Sequence, residues 1–405
     1  MTSFKKYLLI IYTIINLSLF SYTKIENYQF INFIKLINFI PVVIYFSHII
    51  FTERRRTGYF SLPVSIFILS LILGSISAFI YYHQSFIQSF TVSSIFFPFF
   101  TYLMLVQLDL KKDDILQIVK LIFWVTLFIF SLDFYTFPDT LFATRSEEIE
   151  TRKSLGIIFD GLGFTILGAL FYLQRYLITN KIYNLIPFII ASVFIIFLTG
   201  SRTYLFALIA SSLFVIIYDL LNVNSKKNKA YTILSLFGIF SIAIYYLQTH
   251  LLNLVDITKD QFSNYSDDIR LESINYYTTT FQKGFFTQLC GNGFPHSESE
   301  LGLIRANAHE SGYFESDIGI IGLWSYFGLL SVIAWIFIYI RVFNKKYIRQ
   351  NIVVVAFFIY IFINSFLTFT IFDPGYMLAY IYALYLFNTR HINKKVSPSV
   401  KVLNA

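Results

Sequence analysis

Apolar residues in this chain come in runs of about 20, the helix length that crosses ~30 Å of hydrocarbon at 1.5 Å per residue. The pattern predicts twelve spans, near 7–22, 30–51, 59–81, 86–108, 115–137, 155–174, 182–199, 203–221, 230–249, 313–340, 352–372 and 374–389. Barrel strands would be shorter and would alternate apolar with polar positions, so the expected class is all-α, a polytopic membrane helical bundle of about 12 transmembrane helices forming a single domain over 1–405. The apolar stretch after Lys5 and Lys6 resembles a signal peptide. It lacks a small-x-small cleavage site and more spans follow, so it is expected to stay as the first helix.

Two polar intervals exceed ordinary turns. The smaller, 138–154, carries Arg145, Glu147, Glu148, Glu150, Arg152 and Lys153. The larger, 250–312, is rich in Phe and Tyr and contains Ser266-Asp267-Asp268-Ile269-Arg270, a helix start with a serine cap and first-turn acids. Leu271, Ile274 and Tyr277 follow at helical spacing, with Arg270 on the face of Ile274 and Tyr277, which predicts a short amphipathic helix on the membrane boundary or against the bundle. Gly291-Asn292-Gly293-Phe294-Pro295 is a turn expected to end it.

Composition agrees with the spans. Apolar residues make up 56% and charged residues only 13%, against roughly 25% charged in soluble domains. The net charge of +8 does not require nucleic acid, because basic residues gather in the cytoplasmic loops of membrane proteins. With the N-terminus inside, alternate connections hold Lys5 and Lys6, Arg54 to Arg56, Lys111 and Lys112, Arg175 and Lys181, Lys226 to Lys229, Arg341 to Arg349, and Arg390 to Lys401. These account for most of the 31 Lys and Arg residues. Both termini are therefore expected in the cytoplasm, with both long loops on the opposite face. The single cysteine, Cys290, excludes an intrachain disulfide framework and is expected to pack quietly. No P-loop, dinucleotide fingerprint, zinc motif or internal repeat is present, and Gly161-x-Gly163 is expected to serve helix packing.

Candidate chemistry gathers on the outer face. Arg202, at a span junction, either snorkels to lipid phosphates or clamps a phosphate or pyrophosphate, which suits a planar bidentate donor. Arg270 either makes a surface salt bridge with Asp267 or Glu272 or supplies a second positive group. Arg305 and Arg152 are further outer arginines with a solvated or lipid-facing alternative. His309 has Glu310, Glu315 and Asp317 within eight positions. Its type suits proton transfer, although a histidine at a span end is as often interfacial. Asp317 is expected one or two turns inside the span near 313–340, sharing a face with His309, and Asp160 is expected as a second buried acid. Gly319 and Gly322 are expected to let another helix approach.

Three stretches resemble the bacterial O-antigen polymerase and O-antigen ligase superfamily. Leu198-Thr199-Gly200-Ser201-Arg202-Thr203 is similar to its Gly-Ser-Arg segment. Arg270, followed by Gly291-Asn292-Gly293-Phe294, resembles its periplasmic loop. Asn307-Ala308-His309-Glu310-Ser311, running to Asp317-Ile318-Gly319-Ile320-Ile321-Gly322, resembles its His-x-x-x and acid-x-Gly-x-x-Gly segment. In addition to these three, Arg152-Lys153-Ser154-Leu155-Gly156 is similar to an arginine–glycine feature before a middle span. The resemblance implies a GT-C-like fold and a metal-independent glycosyltransferase without cofactor, in the bacterial inner membrane with its active site at the periplasmic face. It implies undecaprenyl-pyrophosphate-linked oligosaccharides as substrates, contact with membrane lipids and a polysaccharide chain-length regulator as a further partner. Arg202 and Arg270, with Arg305 and Arg152 nearby in sequence organisation, would bind the donor pyrophosphate, and His309 would orient or deprotonate the acceptor hydroxyl. Glu310 stands where the family often has asparagine, and Asp317 where it more often has glutamate. The base stays open among His309, Glu310, Glu315 and Asp317. The implied activity is repeat-unit polymerisation; the alternatives are an O-antigen ligase acting on a lipid A-core acceptor and a lipid-linked sugar flippase. The loop's aromatic rings are expected to hold the acceptor sugar.

Overall fold

The computed structural model describes residues 2–17, 37–52, 56–137, 161–199, 201–222, 233, 269–370 and 373–395. Among them every regular element is helical: α1 (Thr2–Asn16), α2 (Ile40–Thr52), α3 (Ser61–Tyr82), α4 (Phe86–Leu108), α5 (Lys112–Thr136), α6 (Leu162–Thr179), α7 (Ile186–Thr199) and α8 (Arg202–Asn222), then α9 (Ile269–Thr278), α10 (Phe285–Cys290), α11 (Glu300–Glu310), α12 (Ile320–Val342), α13 (Ile352–Ser365) and α14 (Pro374–Lys395). Among the described residues six helices are long and apolar enough to cross a membrane: α3, α4, α5, α6, α8 within Thr203–Leu221, and α12. Four shorter apolar helices accompany them. The span expected at 230–249 lies outside the described residues save for Ile233, as do 138–154 and Asp160.

Local sequence sets the ends. Ser85 accepts a hydrogen bond from the Gln88 amide in a capping box that starts α4. Pro98 lacks an amide hydrogen, and α4 tightens to a 3-10 turn over Ser94–Phe99 around it. Asp113 and Asp114 occupy the first turn of α5, where the helix dipole favours negative charge.

The centre of the bundle is α14. From Tyr376 to Phe387 every residue is buried on every side, as expected of a helix apolar all round. It packs on α4, α5, α6 and α13. A Cβ at Gly163 would lie 2.8 Å from the Gly375 carbonyl oxygen, so that glycine does serve packing, between α6 and α14. The surrounding helices turn large apolar side chains outward at helical spacing: Leu62, Leu69, Ile72 and Phe79 on α3; Leu121, Trp124 and Phe128 on α5; Phe206, Leu213 and Ile217 on α8. Apolar stripes of that extent face lipid, and the chain is a membrane-embedded helical protein.

The pairing of α3 with α12 positions the large loop. Helix α12 is broken at Gly328, whose φ is +70°, and the break releases carbonyls that a continuous helix would pair. The loop after α10 takes them: the Asn292 amide and side chain donate to the Ser325 oxygen at 3.0 Å each, and the Gly293 amide donates to the Tyr326 oxygen at 2.9 Å. Irregular backbone at this depth is tolerated because protein covers it. A Cβ on Gly291 would fall 2.2 Å from the Tyr326 oxygen, and one on Gly328 2.2 Å from the Leu289 oxygen, so both contacts require glycine. The Gly-x-Gly segment is thus a plug in a broken helix. It does not end the amphipathic helix, because α9 stops at Thr278 and α10 intervenes. Tyr82 donates to Asn292 Oδ1 at 2.7 Å, and buried Gln84 binds the Phe294 carbonyl, the His296 amide and the Ser299 hydroxyl. Residues 281–299 are therefore fastened to the end of α3. Cys290 is buried and free.

Candidate active site

Helix α11 carries the site. Ser299 caps it by accepting from the Gly302 amide at 3.1 Å, and Glu300 follows in the first turn. Arg305 and His309 are four residues apart on one face, and His309 occupies the last turn, where the dipole favours positive charge. The chain then reverses: the Tyr313 amide donates to the Ala308 oxygen at 2.8 Å and Gly312 adopts a φ of +82°. Reversal brings Glu315, the first residue of the 3-10 turn Glu315–Ile318, beneath that face. A Cβ at Gly322 would lie 2.3 Å from the Glu315 oxygen, and one at Gly319 2.3 Å from the Ser365 oxygen. Both glycines do permit close approach, of the 3-10 turn in the first case and of the end of α13 in the second.

Glu315 is the hub. Its side chain is 6% exposed, against 34% for Arg305 and 29% for His309. Oε1 accepts from Arg305 Nε at 3.0 Å and from Nη2 at 2.5 Å; Oε2 meets His309 Nε2 at 2.7 Å and accepts from the Tyr277 hydroxyl at 3.2 Å. Burial alone would raise the carboxyl pKa. The charge of Arg305, with hydrogen bonds from His309 and Arg305, outweighs burial and holds it below the ordinary value. Tyr277 shifts the other way: burial, then the neighbouring Glu315 charge, push its phenol up, so it stays a neutral donor. Tyr277 itself is fully buried.

An ionised carboxylate accepts hydrogen bonds and does not donate them. His309 Nε2 must therefore carry the proton, and in the neutral ring Nδ1 keeps the lone pair. Among the described residues Nδ1 has no hydrogen-bond partner. The ring lies 4.8 Å from that of Phe314, which is exposed. Arg305 rests 5.7 Å from the centre of the Phe294 ring, one face of its guanidinium on the plugged loop. The result is a partly exposed imidazole, whose neutral form offers Nδ1 as a base, beside a partly exposed guanidinium.

The other expected residues fall differently. Asp317 is exposed in the 3-10 turn, near Ser316 Oγ at 3.4 Å, because α12 begins at Ile320 rather than at 313. It neither enters the span nor shares the face of His309; Glu315 takes that place. Glu310 is exposed at the end of α11. Tyr313 does not continue the helix of His309, and donates to Glu272 Oε2 at 3.2 Å, tying α9 to the turn. Arg270 is exposed in the first turn of α9, while the buried residues of that helix are Ser273 and Tyr277. Arg202 is the first residue of α8, but its side chain lies outside the described residues, as does all of Arg152. Two residues on, Tyr204 meets Tyr376 with ring centres 6.1 Å apart, and the Phe369 amide donates to the Ser316 oxygen at 3.0 Å. These contacts set the start of α8 at the same end of the bundle as the Glu315 turn. Of the loop aromatics, Tyr277 and Phe281 are buried against Tyr326, whereas Phe285 is exposed, and Phe262 and Tyr265 lie outside the described residues. Tyr277 as an anchor for Glu315 was not anticipated, although its place on the apolar face of α9 marked it as inward-facing. Comparison with protein-family models and with curated proteins returns no match.

Proposed function

We propose that the protein is a repeat-unit polymerase of the O-antigen polymerase and ligase type, a GT-C-like bundle of about twelve spans in a bacterial inner membrane. Both termini face the cytoplasm and the Glu315 end faces the periplasm. The observation that carries the proposal is the Glu315-held imidazole: a partly exposed ring bound to the carboxylate through Nε2, which leaves Nδ1 without a hydrogen-bond partner among the described residues, next to a partly exposed arginine. The acceptor is the non-reducing sugar of a lipid-linked repeat unit. Its hydroxyl gives its proton to His309 Nδ1 as its oxygen bonds to the donor's anomeric carbon. The bond from that carbon to the undecaprenyl pyrophosphate oxygen breaks, with inversion, and the pyrophosphate leaves with the electron pair. Arg305, with Arg270 and Arg202 from the same end of the bundle and Arg152 from the smaller loop, stabilises the charge developing there. No residue forms a covalent intermediate, and the chemistry asks for no metal or cofactor. Glu315 acts as the positioning residue, Glu310 and Asp317 as bystanders.

A deletion strain complemented with variants tests this. Wild-type protein restores a glycan ladder, and His309→Ala leaves a single repeat unit on the acceptor. Long polymer stranded on the carrier would show a ligase instead, and failure of lipid-linked units to reach the periplasm a flippase. A full ladder from normally inserted His309→Ala protein overturns the assignment of the base.

A further inference from the structure

Away from this site, at the other end of the bundle, three cations converge on one lipid-facing groove. Helices α5 and α6 pack against each other. Lys120 lies eight residues into α5, about 12 Å from its start, and Arg175 one turn before the end of α6. Lys120 Nζ sits 4.6 Å over the Phe171 ring, one turn from Arg175 on α6. It is within electrostatic range of both Arg175 and Asp113. Lys6 of α1 donates to Gln117, three residues before Lys120 and on the same side of α5. Among the described residues Asp113, exposed at the helix start, is the acid within electrostatic range of Lys120, and the three cations outnumber it. Beyond it, Leu121, Trp124 and Phe128 form an outward apolar stripe along the same face, and Trp124 Nε1 is fixed by donating to the Tyr172 hydroxyl at 2.9 Å.

Like charges held together at the depth of a span are costly unless an anion joins them. Simple snorkelling would send Lys120 and Arg175 apart to the interface. Here Lys120 instead lies between two helices over the Phe171 ring, within electrostatic range of Arg175 one turn further along α6, with an apolar track running from there towards the middle of the span. The dimensions suit a molecule with a negative head and long apolar tails. We infer that Lys120, Arg175 and Lys6 bind the phosphodiester of an anionic phospholipid, whose acyl chains lie on the Leu121–Trp124–Phe128 stripe. Basic pockets between spans bind anionic headgroups in this way.

Native mass spectrometry of the full-length protein in detergent, with phosphatidylglycerol and phosphatidylcholine offered at equal concentration, reads this directly. Wild-type protein is expected to retain phosphatidylglycerol about tenfold over phosphatidylcholine. Lys120→Gln/Arg175→Gln should bring the ratio to near one, Lys120→Arg should keep it, and Lys345→Gln, a basic-residue control outside the groove, should leave it unchanged. Inorganic phosphate at 10 mM should not displace the lipid; displacement would show a free-anion site and overturn the lipid assignment. Equal retention of both lipids by wild-type protein, or an undiminished preference in Lys120→Gln/Arg175→Gln, would also overturn it. A folding failure of that double variant is recognised by its elution profile. Lys120→Gln alone then carries the test, with an expected severalfold loss of preference; no loss refutes the site.

Discussion

Replacing Glu315 with glutamine removes one charge and changes almost no volume, so its consequences follow from the four hydrogen bonds at the carboxylate. The amide oxygen still accepts from Arg305. The amide nitrogen replaces Oε2, where Tyr277 donates at 3.2 Å and His309 Nε2 lies at 2.7 Å. The Tyr277 hydroxyl then faces a donor, and Arg305 loses its counter-charge in a pocket where Glu315 is 6% exposed. Breaking a buried pair from one side costs about 3–5 kcal/mol. The retained Arg305 bond puts Glu315→Gln near the lower end, about 3 kcal/mol. The imidazole responds to the new donor by accepting at Nε2, which moves its proton to Nδ1 and removes the base. On the proposed function, loss of general-base catalysis should lower polymerisation by about 10²–10⁴-fold. The assay pairs two readouts on purified protein: the midpoint of reversible SDS unfolding and the rate of ladder formation from lipid-linked repeat units. Glu315→Gln with a wild-type rate would refute the tautomer argument; a wild-type midpoint would refute the buried pair.

Four further outcomes are expected. Tyr277→Phe deletes one hydroxyl donor to a charged acceptor and should cost about 1.5 kcal/mol by the same unfolding assay, with activity reduced less than in Glu315→Gln. Stability should depend on acid through Glu315: its folded pKa lies below the ordinary value of 4.5, so its contribution is full above that pH and is lost as pH falls through the lowered value. A melting curve should stay level from pH 7 to pH 5 and drop below about 4.5, and Glu315→Gln should flatten the part of the drop that belongs to this group. Gly291→Ala puts a Cβ 2.2 Å from the Tyr326 oxygen and should lower the unfolding free energy by about 1–3 kcal/mol; hydrogen exchange should rise at Asn292 and Gly293. Glu310→Gln and Asp317→Asn, both on exposed side chains, should polymerise at rates near wild type, and a large loss in either would return it to the list of bases.

Much of this was readable from hydropathy, because lipid leaves backbone polar groups no partner outside the helix. The described spans follow the predicted ones within a few residues at α3, α4 and α5. The clearest miss is the start of α12. Tyr313, Phe314 and Ile318 extend the apolar run, so periodicity placed a helix from 313. Gly312 and Gly319 instead take φ values of +82° and +53°, and the chain turns twice before the span begins. That displacement exchanged Asp317 for Glu315 as the buried acid. Aromatic residues in a polar loop suggested a sugar-binding surface. Tyr277 and Phe281 pack inward because the loop is inserted against α3 and α12, a tertiary fact that spacing does not encode. The Gly-x-Gly motif was visible, but its partner, the break at Gly328, lies 35 positions away from Gly293 in the chain and carries no local signature beyond one glycine among several. The cluster on α11 was legible as a group of ionisable residues. The division of labour within it depended on which oxygen meets which nitrogen.

Purified protein supplied only with an undecaprenyl-pyrophosphate-linked repeat unit tests the proposed function most directly. Wild-type protein should convert it to a ladder of longer lipid-linked glycans with release of undecaprenyl pyrophosphate, and His309→Ala should release none. Failure of folded wild-type protein to lengthen the glycan, or equal lengthening by His309→Ala, would contradict the polymerase and its base.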